Sequence, residues 1–242
     1  MKRYAIITAG GSGTRMGAKV PKQFLELDGK PILLRTIELF TKLPFTEEEF
    51  RKGENFETDI ILVLPHDHIE GWQKYCVSHD LWFKHTIVEG GITRFHSVRA
   101  ALHMVPDGAI VAVHDGVRPF VTNEMIKKMM RYEFDENVAG VIPVMPVVES
   151  MRRKIFDADG NEIATASANR DDYILVQTPQ VFDSTRLKLS YKKPYSPKFT
   201  DDASVMESSG YKLDTIEGSK LNLKITTQAD LLLARAISSL RF

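Results

Sequence analysis

The sequence predicts a three-layer α/β protein built on a mostly parallel central sheet, and three observations carry that reading. Asp59-Ile-Ile-Leu-Val-Leu64, Gly108 to Val113 and Ala139 to Val144 are short, continuous apolar runs, the pattern of strands covered on both faces. Two further apolar runs break directly into glycine turns, at Gly10-Gly11-Ser12-Gly13 and at Glu89-Gly90-Gly91. Helix-like and strand-like stretches then alternate, without internal repeats or low-complexity linkers.

The chain's 242 residues, 43% hydrophobic and 26% charged, suit a single large α/β domain covering 1–242. Basic and acidic residues balance at 32 each, which excludes a global pull toward nucleic acid or an anionic membrane and makes any anion site local. The one cysteine, Cys76, excludes an intrachain disulfide and a cysteine-rich metal site, and reads as a half-buried filler. No apolar run is long enough to cross a membrane, and the basic start Met1-Lys2-Arg3 leads into no cleavage-like site. The expectation is a cytoplasmic protein.

In order, Tyr4 to Ala9 is a buried strand that opens into the first glycine loop. Without side chains, successive N–H groups there can converge on a negative oxygen, and loops at the carboxyl end of a first strand are where α/β proteins bind phosphate. The loop lacks the Gly-x-x-x-x-Gly-Lys-Ser/Thr pattern, spaces its third glycine wrongly for a dinucleotide fingerprint, and is no nucleophile elbow because Thr14 follows Gly13. A tight strand-to-helix connection and an anion cradle both remain open. Arg15 within the loop and Lys22 just after it favour the cradle, since fixed cations beside a backbone nest suit a triphosphate that gains charge during reaction.

Pro31 to Leu43 has helical spacing, with Pro31 in the first turn. Thr46 to Thr58 is a polar surface excursion, and Asp59 to Leu64 a buried strand closed by Pro65. His66 and His68 then fall in a strand-end loop with no third metal ligand near them. Tyr75 to Phe83 has no decisive pattern, and Thr86 to Val88 is a short strand. It enters the second glycine turn, followed by Arg94 and Ser97 and the helical stripe Val98, Ala101, Leu102, Val105.

The strand from Gly108 runs into His114-Asp115-Gly116-Val117-Arg118-Pro119. A carboxylate at that strand end can hold Mg2+ together with substrate phosphates, or can simply form a turn. His114 reads as a packed or hydrogen-bonded core neighbour outside the chemistry. Thr122 or Asn123 caps a helix over Glu124 to Tyr132, and Ala139 to Val144 is the next strand.

Ser150 to Ile155 and Ile163 to Ser167 flank the turn signal Asp157-Ala-Asp-Gly-Asn161, and are too polar for the main core. A protruding two-stranded arm over 148–168 is expected, and because such an arm is marginal alone in water it suggests dimerisation. Thr200-Asp201-Asp202-Ala203 reads as a helix cap, Leu221 to Thr226 as a strand whose Lys224 must meet an anion or carboxylate, and Thr227 to Ile237 as a closing amphipathic helix.

Across nearly the whole chain these segments resemble the cytidylyltransferases of small sugar-alcohol phosphates, within the Rossmann-like nucleotidyltransferase fold. The resemblance rests on Ala9 to Gly17, Pro21-Lys22-Gln23, Gly90-Gly91 with Arg94 and Ser97, His114 to Pro119, Gln177-Thr178-Pro179-Gln180, Thr200 to Ala203 and Asn222 to Thr226. It implies transfer of CMP from CTP, with Mg2+ as cofactor and pyrophosphate released. The branch most similar uses 2-C-methyl-D-erythritol 4-phosphate, giving 4-diphosphocytidyl-2-C-methyl-D-erythritol for non-mevalonate isoprenoid synthesis. Ribitol 5-phosphate as acceptor, or a nucleotide-binding module without catalysis, are the alternatives.

By the same resemblance, Arg15, Lys22, Lys224 and Asp115 would be catalytic, with Asp115 contacting the acceptor or Mg2+. Ala9, Gly10, Gly11, Gly13, Gly91, Arg94 and Ser97 would bind nucleotide. Arg118, Ser150, Arg170 and Thr178 would hold the acceptor, Ser150 and Arg170 coming from the arm of the second subunit of a homodimer. At one position the chain departs from the family pattern: Ile92 stands where relatives commonly carry an acid.

Overall fold

The computed structural model describes residues 1–11, 20–44, 46–53, 57–132, 134–135 and 138–240. Strand β1 (Arg3–Thr8) leads through the glycine loop to the ribbon β2 (Glu26–Leu27) and β3 (Lys30–Pro31), then to helices α1 (Ile32–Thr41) and α2 (Glu47–Arg51). The units β4 (Thr58–Leu64), α3 (His66–Ser78), β5 (His85–Glu89), α4 (Arg94–Leu102), β6 (Ile110–Asp115) and α5 (Asn123–Met130) follow. Beyond them come β7 (Val138–Pro146), β8 (Met151–Phe156), β9 (Glu162–Ala168), β10 (Ile174–Val176), β11 (Gln180–Asp183), α6 (Ser184–Ser190), α7 (Asp202–Ser208), β12 (Lys212–Glu217) and α8 (Gln228–Ser239).

The main sheet runs β10-β7-β11-β6-β1-β4-β5, with β12 parallel to β7. Alternation along each strand divides the core between two faces. Ala5, Ile7, Ile60, Leu62 and Ala112 pack with Leu33, Ile37 and Phe40 of α1, Trp72 of α3 and Met125, Ile126, Met129 and Met130 of α5. Tyr4, Ile6, Ile61, Val63, Val111 and Val113 pack with Phe95, Val98 and Leu102 of α4, Leu187 of α6 and Val205 and Met206 of α7. Both faces being covered explains why β4 and β6 read as unbroken apolar runs.

The strand order fixes where a ligand can sit. From β1 the chain steps outward to β4 and β5, then α4 carries it back across to β6 on the other side of β1. The order reverses there, so the carboxyl ends of β1 and β6, with Thr8 opposite Asp115, flank a crevice suited to a ligand.

Several sequence expectations are corrected. Leu221 to Thr226 is not a strand. It is an irregular segment tied down by Ile225 N–H to Val117 O, 3.0 Å, and the strand in this region is β12. The polar excursion contains α2, whose Glu49 is buried. His66 and His68 lie in the first turns of α3 rather than in a loop, and this helix runs on through Tyr75 to Ser78. The expected arm is present as the separate ribbon β8–β9, with Asp157 accepting from the N–H groups of Asp159 and Asn161 and Gly160 taking φ +84.

Candidate active site at the strand-order reversal

A cleft of about 270 Å³ opens at the reversal, lined by the ends of β1 and β6, the turn between β5 and α4, the start of α4, and Lys22, Gln23 and Lys224. Its first wall is the glycine loop. Ala9 N–H bonds Val63 O at 3.0 Å, and the buried Gln23 donates through Nε2 to Ala9 O at 2.8 Å, so the strand end cannot drift from the sheet. A Cβ on Gly11 would lie 3.2 Å from Lys22 Cε and 3.6 Å from Lys22 Nζ. The Lys22 ammonium therefore rests against the bare backbone of the loop. Arg15 and Gly13 lie outside the described residues.

The second wall is the junction from β5 to α4. Gly91 N–H donates to Ser97 Oγ at 3.1 Å, and Thr93 caps the helix by accepting from His96 N–H. A Cβ at Gly91 would sit 2.5 Å from His96 Cβ and 3.1 Å from the His96 carbonyl carbon, so only glycine lets the chain pass. Ile92 follows in the lining with its side chain in solvent. Arg94, the first residue of α4, donates through Nη2 to Asp202 Oδ2 at 2.6 Å, with its Nε 3.9 Å from Asp115 Oδ1.

Asp202 is fully buried and also accepts from Tyr191 O–H at 2.6 Å. Asp201 is the capping residue of α7, whereas Asp202 anchors Arg94, so reading the two acids together as a cap is half right. The signal was available: one cap needs one acid, and the second had no local task.

The floor is Asp115, at the end of β6. Its Oδ2 meets Arg118 Nε at 3.0 Å and Lys224 Nζ at 3.1 Å. Burial would raise this carboxyl, but the charges of Arg94, Lys224 and Arg118 outweigh it and hold Asp115 below the usual carboxylate range. Burial would likewise lower the Arg94 guanidinium, yet Asp202 and Asp115 push it above its ordinary value. Arg118 is further fixed by Nη1 donating to Asn222 O at 2.8 Å, and Asn222 Nδ2 donates to Thr178 O at 2.8 Å. Those bonds carry the irregular segment, and with it Lys224, to Asp115. The expectation that a carboxylate meets Lys224 is thus met.

The structure brings Ala9, Gly10, Gly11, Lys22, Gly91, Arg94, Ser97, Asp115 and Lys224 into one cleft lining. Arg118 stands behind Asp115, and Thr178 is buried with its hydroxyl directed to His114 and the Asp115 backbone. Ser150 and Arg170 are exposed at the base of the β8–β9 ribbon, outside the lining of their own chain's cleft, with Arg170 bonded to Val148 O. Asp202, Asn222 and Tyr191 were not singled out, because their roles lie in side-chain contacts made by the fold, whereas His114 is the packed, hydrogen-bonded core neighbour that the sequence suggests. Burial holds the His114 imidazole down to about 4, so the ring is neutral at neutral pH.

Chemically, the described residues of the cleft offer glycine backbone and three lining cations, Lys22, Arg94 and Lys224, with a single carboxylate, Asp115. That arrangement favours a multiply charged anion.

The comparisons with known proteins agree. The family model described as "IspD: 2-C-methyl-D-erythritol 4-phosphate cytidylyltransferase" matches residues 4–239. A relative of that name from Bacteroides fragilis is 45% identical over 239 residues, covering 98% of this chain and 100% of the relative. Another of that name from Clostridium perfringens is 36% identical over 237 residues, covering 96% and 97%. The solved 4-diphosphocytidyl-2C-methyl-D-erythritol synthase of Anaerococcus prevotii superposes with a TM-score of 0.72 at 27% identity, covering 98% of this chain and 96% of that one. The Thermus thermophilus structure, at 24% identity and a TM-score of 0.71 over 99% of this chain and 100% of its own, shares the fold. With residues 4–239 matched in sequence and its fold matched in space, this chain belongs to the 2-C-methyl-D-erythritol 4-phosphate cytidylyltransferase family.

Proposed function

We propose that the cleft is where this cytidylyltransferase transfers the CMP unit of CTP to 2-C-methyl-D-erythritol 4-phosphate, releasing pyrophosphate. The observation that carries the reading is the convergence of Lys22, Arg94 and Lys224 with glycine backbone around Asp115 at the strand-order reversal. The cytosine sits against backbone at Ala9 and Gly91 and against Ser97, and the triphosphate lies over the glycine loop. An acceptor phosphate oxygen attacks the α-phosphorus in line. A new P–O bond forms as the bond from the α-phosphorus to the bridging oxygen breaks, and the electron pair leaves on pyrophosphate. Such chemistry needs positioning and charge neutralisation rather than a protein nucleophile. Lys22, with Arg15, neutralises the leaving pyrophosphate, and Lys224 the α-phosphate region.

Magnesium fits this donor set in a limited way. Among the described residues Asp115 is the only carboxylate lining the cleft, and its Oδ2 is engaged by Arg118 and Lys224, leaving Oδ1, with Arg94 Nε 3.9 Å away, as the donor. Among the described residues no three His, Cys, Asp or Glu gather into a metal site. Mg2+ commonly keeps water and binds one or two carboxylates plus substrate phosphates, so Asp115 Oδ1 would hold it beside the triphosphate. There it would supply further charge neutralisation.

The arm completes the proposal. The ribbon β8–β9 forms its own two-stranded sheet, and Phe156 and Ile163 on it are exposed. A homodimer formed through the ribbon would cover these side chains and carry Ser150 and Arg170 to the acceptor end of a second subunit's cleft.

The test is pyrophosphate release with CTP and Mg2+, using 2-C-methyl-D-erythritol 4-phosphate and ribitol 5-phosphate in parallel. Strong preference for the first is expected. Preference for ribitol phosphate would overturn the acceptor, and release with neither would favour a binding module without catalysis.

A further inference from the structure

His114 has no part in the transfer chemistry just described, yet it is fully buried within the site, against the Phe40 ring at 5.3 Å between centroids. Its two nitrogens have distinct partners. Nε2 lies 3.0 Å from the carbonyl oxygen of Arg118, and a carbonyl only accepts, so Nε2 carries the proton. In the neutral ring Nδ1 then accepts, and the hydroxyl 3.0 Å from it belongs to Thr178. That same Thr178 oxygen accepts from the Asp115 backbone N–H at 3.1 Å. The turn is closed on its other side by Arg118 N–H donating to Asp115 O at 3.1 Å.

These bonds form a circuit from the Asp115 amide through Thr178 and the imidazole to the Arg118 carbonyl, and back through the turn. It encloses the two residues whose side chains set the floor of the cleft, where Asp115 Oδ2 meets Arg118 Nε and Lys224 Nζ. We propose that His114 is a positioning residue for cytidylyl transfer, its two ring nitrogens tying Thr178 to the turn that presents Asp115 and Arg118. It acts through those neighbours and touches no substrate. The inference rests on the reading of the cleft as the transfer site.

The position of a group in a transfer site governs kcat steeply, since a displacement of about 1 Å costs on the order of 100-fold. Three variants separate the circuit from packing. His114→Phe keeps a ring and removes both bonds. His114→Gln places an amide N–H where Nε2 stood and keeps the bond to Arg118. Thr178→Val removes the hydroxyl at the other end of the ring.

For His114→Phe we expect kcat to fall roughly 30-fold with KM for CTP within about threefold, because the glycine loop and Gly91 are untouched. His114→Gln should recover about tenfold of that loss. In the double variant His114→Phe with Thr178→Val, the loss should be well short of the product of the single losses. A folded His114→Phe enzyme with kcat within about threefold of the parent overturns the proposal, as does a loss confined to KM.

A second measurement stands apart from activity: nitrogen-15 NMR of histidine-labelled enzyme at neutral pH. It should find Nε2 of His114 protonated and Nδ1 bare. Protonated Nδ1 breaks the circuit and overturns the proposal even if His114→Phe fails to fold. Should the parent release no pyrophosphate with any acceptor, the reading of the cleft fails, while the tautomer still reports on the circuit.

Discussion

Among the carboxylates that meet more than one cation, Glu49 and Asp115 use their oxygens differently. Glu49 of α2 meets Lys127 Nζ at 2.7 Å through Oε2 and Arg131 Nη2 at 2.5 Å through Oε1, and Oε2 also accepts from Thr46 N–H at 2.8 Å. Both oxygens are engaged at bonding distance, and the result joins α2 to α5. Asp115 concentrates its contacts on Oδ2, while Oδ1 has Arg94 Nε 3.9 Å away and lies in the lining of an open cleft. A saturated carboxylate staples helices. In the proposed reading, a carboxylate beside several cations in an open cleft organises positive charge for an incoming anion.

The comparison breaks if the two sites respond alike to losing their negative charge. Asp115→Asn should lower kcat/KM by roughly 10²- to 10³-fold, about 3–4 kcal/mol of transition-state stabilisation, because the cations it orders lose their alignment. Steady-state pyrophosphate release measures it, and a loss under about threefold would place Asp115 with the structural group. Glu49→Gln should instead lower the thermal midpoint by several degrees in calorimetry and leave kcat/KM within about twofold. A tenfold loss of activity in a protein of unchanged midpoint would reverse the assignment.

Acid sharpens the contrast further. The hydrogen bond from Lys127 is the largest cause holding the Glu49 carboxyl at about 2, against an ordinary value of 4.5. A carboxyl lowered in the folded state stabilises it above its unfolded value, and that contribution is lost as protons bind. The stability difference between parent and Glu49→Gln should therefore be full above pH 4.5 and shrink as pH falls toward about 2. Denaturant unfolding across that window measures it, and a difference that is flat with pH would mean the carboxylate charge contributes nothing.

The fold was legible where burial was complete. β1, β4, β6 and β7 are flanked by apolar neighbours, so each reads as an uninterrupted apolar run. β12 was not legible, because in Lys212-Leu-Asp-Thr-Ile-Glu217 the two apolar residues, Leu213 and Ile216, are three apart and the polar ones are exposed, so the segment lacks a strand's alternation. α3 hid for a related reason: of its 13 residues only Trp72 is buried. Within the site, Lys22, Asp115 and Arg94 were read as charges at strand ends and turns, and Lys224 as a lysine inside an expected strand that the structure shows as an irregular segment. Asp202 and Asn222 were not singled out, since their meaning lies in contacts to Arg94 and Thr178 that only folding creates.

The central claim is that the cations around Asp115 serve the reaction rather than the fold, and Lys224→Met tests it most directly. The substitution keeps the apolar stem and removes one charge from a half-exposed side chain, so stability should change by less than about 1 kcal/mol. The measurement is kcat/KM for pyrophosphate release from CTP with 2-C-methyl-D-erythritol 4-phosphate. A fall of about 100-fold is the expected result. A value within about threefold of the parent would contradict the account.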